Sequence, residues 1–198
     1  MISELHRDNY IDDMTRKWLS RTPNPPCILE FYTLTKIHKP TLVRRPIISG
    51  CNEPMERISA FVNTLLQPIS ISQTSYLKDT TDFINFIENM KVRLNAFLVS
   101  MDVTSLYMNI PQEKDITTVC RAYENFHKNN PPIPTQYIRE MLRPILEENS
   151  FQFNGKNYLQ IHGTAMGTKM AIAFANIFMA DIETHILSNS VVKPTIWK

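Results

Sequence analysis

Several protein classes are excluded by what this sequence lacks. Its three cysteines, Cys27, Cys51 and Cys120, are widely spaced and contain no Cys-x-x-Cys pair, so the sequence predicts neither a disulfide framework nor a zinc site and favours a reducing compartment. The five histidines form no pair at metal-ligand spacing. No apolar stretch is long enough to span a membrane, and the polar residues 1–13 do not resemble a signal peptide. We therefore expect an intracellular protein, nuclear or cytoplasmic rather than secreted, with no membrane and no disulfide partner.

Net charge does not identify a partner, but the local distribution of charge points to one. The 198 residues have a formal net charge of +2, and their 43% hydrophobic and 20% charged residues are ordinary for a globular chain with one sizeable core. Between Glu30 and Glu53 there is no acid, and the cations are Lys36, Lys39, Arg44 and Arg45. Such a cluster is either solvated surface or a surface that binds nucleic acid, and charge alone leaves both interpretations open.

Hydrophobic periodicity predicts one folding unit in which helices pack around a small sheet. Helices are expected over residues 3–20, 53–66, 79–90, 112–126, 135–148 and 168–188. Strands are expected over 28–34, 43–49 and 97–99, with a further hairpin around Asn154 and Gly155. The first two strands form an antiparallel hairpin joined by the cationic connection, and Pro46 indicates an edge position. The predicted fold class is α+β with a mostly antiparallel sheet.

Three finer features follow from side-chain types. Ser3 is a possible N-cap of the first helix, and Asp79 or Thr80 is expected to cap the third. The apolar side chains of that third helix are expected inside the core, namely Phe83, Ile84, Phe86 and Ile87. The second helix is expected to end before Pro68.

The stretch from Phe97 to Tyr107 is the most informative one. Its apolar start predicts a buried strand that delivers Asp102 to its end, which would place a metal ligand on a rigid element. Mg²⁺ favours carboxylate oxygens together with substrate phosphates. Tyr107 follows five residues later and could form the floor of a nucleotide pocket. An aspartate that only caps a turn is the alternative, and this stretch alone does not distinguish the two.

A glycine-containing loop precedes the last predicted helix. Gly163 and Gly167 with Lys169 are similar to a phosphate-binding P-loop, but only three residues separate the glycines and Thr168 precedes the lysine. A P-loop requires four residues between the glycines, followed directly by Lys and then Ser or Thr. We therefore exclude a P-loop nucleotidase.

Taken together, these segments resemble a reverse transcriptase, most closely that of Penelope-like retroelements. Two segments resemble the fingers motifs: Lys36-Ile37-His38-Lys39-Pro40 and Arg45-Pro46-Ile47-Ile48-Ser49-Gly50. Residues 75–80 are similar to the connecting motif, 100–111 to palm motif A, and 149–153, 163–167 and 175–179 to the approach, loop and helix of motif B. The resemblance spans about residues 30–185 in one order and implies a fingers-like region over 28–96 and a partial palm over 97–198, after an N-terminal helix and Pro-rich connection over 1–27.

The resemblance implies a role for each matching residue in nucleotide binding. Lys36 and Arg45 would hold the triphosphate of an incoming dNTP, the former as a point charge and the latter as a fork. Tyr107 would exclude a ribose 2′ hydroxyl. The nascent base pair would be lined by Met166 and Gly167. An RNA template and a DNA primer would be the macromolecular partners. The alternative to these roles is a purely structural one. Lys36 and Arg45 would then be surface cations, and Tyr107 would be an aromatic residue of the core.

The resemblance also implies a two-metal site, for which this sequence offers one carboxylate. Asp102 and the backbone carbonyl of Val103 would bind Mg²⁺ for nucleotidyl transfer to a primer 3′ end. The aspartate pair that forms motif C in the family is absent after the last predicted helix. We therefore expect an inactive part of an RNA-directed DNA polymerase that binds Mg²⁺ weakly or not at all, with an open sheet edge that favours aggregation. The alternative is a non-catalytic RNA-binding or protein-interaction module derived from a retroelement.

Overall fold

The computed structural model describes residues 1–25, 27–37, 40–128 and 130–198, and in these residues the chain forms eight helices and one four-stranded sheet. Strand β1 (Leu29–Thr35) pairs antiparallel with β2 (Arg44–Ile48) and parallel with β3 (Ser150–Phe153). The fourth strand, β4 (Lys156–Leu159), pairs antiparallel with β3, which gives the order β2-β1-β3-β4. The prediction of an α+β fold with a mostly antiparallel sheet is thereby confirmed.

The helices build the larger of two hydrophobic cores. In chain order they are α1 (Ile2–Arg7), α2 (Asp13–Leu19), α3 (Glu56–Ile71), α4 (Thr80–Glu88), α5 (Leu106–Asn109), α6 (Gln112–Phe126), α7 (Thr135–Glu147) and α8 (Ala171–Asn189). Helices α3, α6, α7 and α8 pack on one another around fully buried side chains such as Leu66, Tyr123 and Phe174. The sheet has a small core of its own around Leu29 and Ile48. The helices therefore pack mainly on each other rather than around the sheet.

The two regions predicted from the resemblance contact each other both in the sheet and among the helices. Strand β1 lies within residues 28–96, which are predicted to be fingers-like, and pairs with β3 of the part predicted to be palm-like, residues 97–198. Helix α3 likewise packs against α8.

Among the described residues, no helix is both long enough and apolar enough to cross a membrane. The cysteines are free thiols, exposed at Cys27 and Cys51 and buried at Cys120, where burial raises the pKa to about 11.

Local signals predicted the hairpins and one cap correctly. Strands β1 and β2 each begin and end within one residue of the ranges expected for them, and Pro46 lies on the edge strand β2. The second hairpin turns at the expected residues. Asn154 and Gly155 both have positive φ, 49° and 72°, which is the backbone that an Asn-Gly hairpin turn requires. The Asp79 side chain caps α4 by accepting a hydrogen bond from the Asp82 N–H at 2.9 Å.

Two predicted helix boundaries are wrong. The expected helix over 3–20 is interrupted, because Asn9 adopts a left-handed backbone with φ 60° and the Asp12 side chain starts α2 by accepting from the Thr15 N–H at 2.7 Å. Ser3 lies inside α1 rather than at its cap. Helix α3 continues past Pro68 to Ile71, because Ile69, which is 1% exposed, packs in the core and offsets the backbone hydrogen bond that proline removes.

The segment 97–103 and α4 are more exposed than expected. Phe97 and Leu98 are 94% and 95% exposed, and residues 96–103 form neither helix nor strand. None of the four strands in the described chain pairs with this segment, so its backbone forms no hydrogen bonds with a neighbouring strand. The prediction of a buried strand that ends at Asp102 is therefore wrong. Helix α4 also contributes no buried side chain, which contradicts the core positions expected for Phe83, Ile84, Phe86 and Ile87.

The exposed segment 97–103 leads to a prediction on aggregation. Leu98→Lys is expected to reduce aggregation while changing the free energy of unfolding by less than about 0.5 kcal/mol, because the parent side chain makes little contact. Light scattering over time and thermal unfolding measure the two effects. Met14→Lys, at a 78% exposed position on α2, adds the same charge elsewhere. Equal suppression by both variants would show that net charge, and not this segment, controls aggregation.

Candidate functional site

The loop from Gly163 to Gly167 is fixed at its start by backbone contacts. The Thr164 N–H donates a hydrogen bond to the Tyr107 carbonyl at 2.7 Å, and the Gln112 side-chain amide donates to the Gly163 carbonyl at 3.0 Å. Gly163 has φ 74°, and a Cβ atom there would overlap the Tyr107 carbonyl. Only glycine therefore fits at this point, where the loop lies against α5.

The end of the same loop lies against β2. A Cβ atom on Gly167 would overlap the Ile48 carbonyl, and one on Gly50 would overlap the Gly167 carbonyl. The two backbones consequently touch without intervening side chains, which requires glycine on both sides. Thr168 then closes the turn before α8, with both its N–H and its hydroxyl donating to the Ala165 carbonyl.

Tyr107 touches this loop, and the described hairpin cations belong to the hairpin whose strand β2 the loop also touches. Tyr107 is half-buried, and burial raises the pKa of its phenol, while the positive charge of Arg45 opposes the increase. Arg45 is exposed on the edge strand β2. Lys36 follows β1, and its N–H donates to the Val43 carbonyl at 2.9 Å, so it belongs to the same hairpin. His38 and Lys39 lie outside the described residues.

The structure thus brings together a subset of the predicted site residues. Tyr107, Met166 and Gly167 come together at the Gly163–Gly167 loop. Arg45 lies on β2 three residues before Ile48, whose carbonyl Gly167 approaches, so strand alternation directs the Arg45 side chain to the face opposite that of Ile48. The roles that the resemblance implies for them stay predictions. The loop thus brings a half-buried phenol next to a closely approaching backbone, and the exposed guanidinium of Arg45 belongs to the adjoining strand.

Asp102 and Val103 are exposed and lie in neither a helix nor a strand. Both lie in the exposed segment 97–103, and α5 begins only after Ser105, which has a left-handed backbone with φ 52°. Within the described ranges, no three His, Cys, Asp or Glu side chains cluster as metal ligands would. One carboxylate with one carbonyl does not build the two-metal site of nucleotidyl transfer. The donors present do not fit that site.

The sequence also contains an aspartate pair near its start, at Asp12 and Asp13. Tyr10-Ile11-Asp12-Asp13 has the aromatic-x-Asp-Asp spacing of motif C, but it precedes the fingers motifs instead of following motif B. Asp12 caps α2, and Asp13 pairs with Lys17 and Arg16, which lower the pKa of its carboxyl to about 2. These contacts make the pair a helix start on the protein surface rather than a catalytic motif.

Two buried carboxyl groups were not singled out from the sequence. Asp115 on α6 has no exposed surface, and neither carboxylate oxygen has a hydrogen-bond partner in the described chain; burial raises its pKa to about 7. Glu53 is 7% exposed, and burial together with the charge of Glu56 raises its pKa to about 7 as well. The helical spacing of Asp115 with Val119 and Tyr123 was the signal that could have revealed the first of them.

Comparison with known proteins adds no assignment: the chain matches no family model, and no curated protein matches it. The candidate site therefore depends on its motifs and its own geometry.

Proposed function

We propose that this chain forms the nucleotide- and template-binding part of a reverse transcriptase domain similar to that of Penelope-like retroelements, made of the fingers and part of the palm. The observation that supports the proposal most is the position of the Gly163–Gly167 loop, which contacts Tyr107 at one end and β2, the strand of Arg45, at the other. Motifs that are distant in sequence would be expected to meet in this way around one nucleotide.

The chemistry of these residues suits a deoxynucleoside triphosphate. The planar guanidinium of Arg45 can bind two phosphate oxygens at once, and Lys36 on the same hairpin adds a second positive charge. The half-buried ring of Tyr107 would restrict the space beside the sugar. Gly167 lies against the β2 backbone, and Met166, which is partly exposed next to it, would provide the surface for a base pair.

We do not assign polymerase turnover to this chain by itself. Mg²⁺ would arrive with the nucleotide phosphates, and Asp102 with the Val103 carbonyl would add only one side-chain ligand. The activity proposed for the chain is therefore the binding of dNTP, RNA template and DNA primer.

The second candidate is a non-catalytic RNA-binding or protein-interaction module. It is favoured by one observation, the exposed position of Asp102 away from any strand end. Salt titration distinguishes the two functions, because binding through cations weakens with salt whereas a dNTP site should also depend on Mg²⁺. RNA affinity without Mg²⁺-dependent dNTP binding would support the module.

Substitutions of the hairpin cations test the dNTP site. Arg45→Ala and Lys36→Ala are each expected to weaken Mg²⁺-dependent dNTP binding by about 1.5–3 kcal/mol, because each removes a charge-assisted contact. Arg45→Lys should retain part of the affinity, since it keeps the charge and loses the fork. Isothermal titration calorimetry measures these differences.

Lys91→Ala removes a cation from another exposed position and should leave dNTP affinity unchanged. Parent-like affinity in Arg45→Ala would contradict the triphosphate role of Arg45. An equal loss in Lys91→Ala would show that binding follows overall charge.

A further inference from the structure

The strand register assigns the side chains of the sheet to two faces. Paired residues point to the same face, and residues alternate along each strand. Phe31 pairs with Ile48, and Phe151 pairs with both Leu29 and Tyr158. One side, which we name the aromatic face, accordingly carries four aromatic rings and two cations: Phe31, Phe151, Phe153, Tyr158, Arg44 and Lys156.

The four rings of the aromatic face form a continuous patch. The centroids of Phe31 and Phe153 lie 5.1 Å apart in an edge arrangement, and those of Phe31 and Phe151 lie 5.6 Å apart. Phe151 stacks on Tyr158 with an interplanar angle of 18°. Phe153 and Tyr158 remain 49% and 44% exposed, so two rings are available to a ligand.

The two charged residues that the strands place on this face are both cations. Arg44 and Lys156 are exposed and lie on β2 and β4, the two edge strands, so a cation lies on either side of the aromatic rings. The only acid in the four strands, Glu30, pairs with Gln152 and therefore points to the opposite face. Exposed rings between cations are complementary to a polymer with stacking bases and anionic linkages.

A cavity continues from the inner end of the aromatic face. It has a volume of about 250 Å³, and its apolar wall includes Phe31, Phe151 and Ile48. Thr164 is one of the lining residues and is 1% exposed, and its covered hydroxyl has no hydrogen-bond partner among the residues that the structure describes. Gln160, also in the lining, is already engaged with Asn149 and with the His162 carbonyl, both at 2.8 Å. An aromatic wall with one free buried hydroxyl suits a planar heterocycle with a polar edge.

We propose that the aromatic face binds single-stranded nucleic acid. Bases stack on Phe153 and Tyr158, phosphates lie beside Arg44 and Lys156, and one base enters the cavity next to Thr164. The inference rests on the proposed function, which makes nucleic acid the partner, and it adds the path that the unpaired strand follows across the sheet.

Binding of a labelled single-stranded RNA dodecamer, measured by fluorescence anisotropy, tests the stacking surface. The double variant Phe153→Leu with Tyr158→Leu is expected to weaken binding about tenfold or more, because it keeps apolar area and removes two rings. The dependence of binding on salt should stay the same, since no charge is lost. Tyr32→Leu is the matched control, because Tyr32 is 47% exposed on the opposite face of the same sheet.

A dodecamer that contains 2-aminopurine tests the cavity. Its fluorescence should change on binding to the parent protein, and the change should be smaller with Thr164→Val, which removes the free hydroxyl at nearly constant shape. Circular dichroism confirms that each variant is folded.

The outcomes separate this inference from the proposed function. If the double variant or an abasic dodecamer binds as tightly as the matched parent complex, or if Tyr32→Leu weakens binding equally, stacking on the aromatic face is overturned. Mg²⁺-dependent dNTP binding that persists in that case leaves the proposed function standing. If the parent protein binds neither RNA at low salt nor dNTP with Mg²⁺, both proposals fail.

Discussion

Asp115→Asn is expected to raise the free energy of unfolding at pH 8 by about 2–4 kcal/mol and to have little effect near pH 4. Burial without a hydrogen-bond partner raises the pKa of Asp115 from 3.8 to about 7, a difference that corresponds to about 4 kcal/mol at most. At pH 8 the parent protein must therefore hold an unpaired buried charge, whereas asparagine is neutral at every pH in this range.

The pH dependence of the parent protein follows from the same pKa. Between about pH 4 and pH 7 the folded state keeps the Asp115 proton that the unfolded chain has released. Stability is consequently greatest at the acidic end of this window and falls as pH rises through it. The neighbouring charges act in opposite directions, since Lys114 lowers the pKa and Asp181 raises it. Glu53 should add a slope of the same sign, because its pKa is also raised.

Urea denaturation from pH 4 to pH 8 measures these profiles. Asp115→Asn should remove part of the decrease in stability with pH, and Glu53→Gln should remove a second part. The double variant should remove both parts, because the two carboxyl groups lie in separate parts of the fold. A parent protein with constant stability over this range would contradict the burial of both groups. An Asp115→Asn variant no more stable than the parent at pH 8 would contradict an unpaired charge at residue 115.

Gly167→Ala is expected to lower the free energy of unfolding by about 1–3 kcal/mol and to weaken dNTP binding at least tenfold. The added Cβ atom would overlap the Ile48 carbonyl, and because that atom belongs to the backbone of β2, the loop or the strand must move. Either movement separates the loop from the hairpin that carries Arg45. Urea denaturation and calorimetry with dNTP and Mg²⁺ measure the two effects.

Gly155→Ala is the matched control for this substitution. Unlike Gly167, Gly155 has a positive φ, 72°, and a Cβ atom there would have no neighbour within 4 Å. Its replacement should cost about 1 kcal/mol of backbone strain and leave dNTP affinity unchanged. Parent-like dNTP binding by Gly167→Ala would show that the close approach to β2 is not needed for the site.

Features that depend on neighbouring residues were predictable from the sequence by itself. The Asn154-Gly155 hairpin, the Asp79 cap and the edge position of Pro46 each follow from the backbone angles or hydrogen bonds that a residue can adopt locally. The α+β class follows from the sum of such signals. The order of the motifs was visible too, because it requires no knowledge of distances.

Features that depend on a distant partner were decided only by the tertiary structure. The apolar run 97–99 has the composition of a strand, but no strand in the described chain pairs with it, so it stays exposed. Conversely, Pro68 is typical of a helix end, but α3 continues to Ile71 because Ile69 packs in the core. Burial of Asp115, contact between Gly50 and Gly167, and the gathering of aromatic rings on one sheet face likewise arise from residues far apart in sequence. Periodicity indicates which side chains can share a face, whereas pairing and packing determine what that face meets.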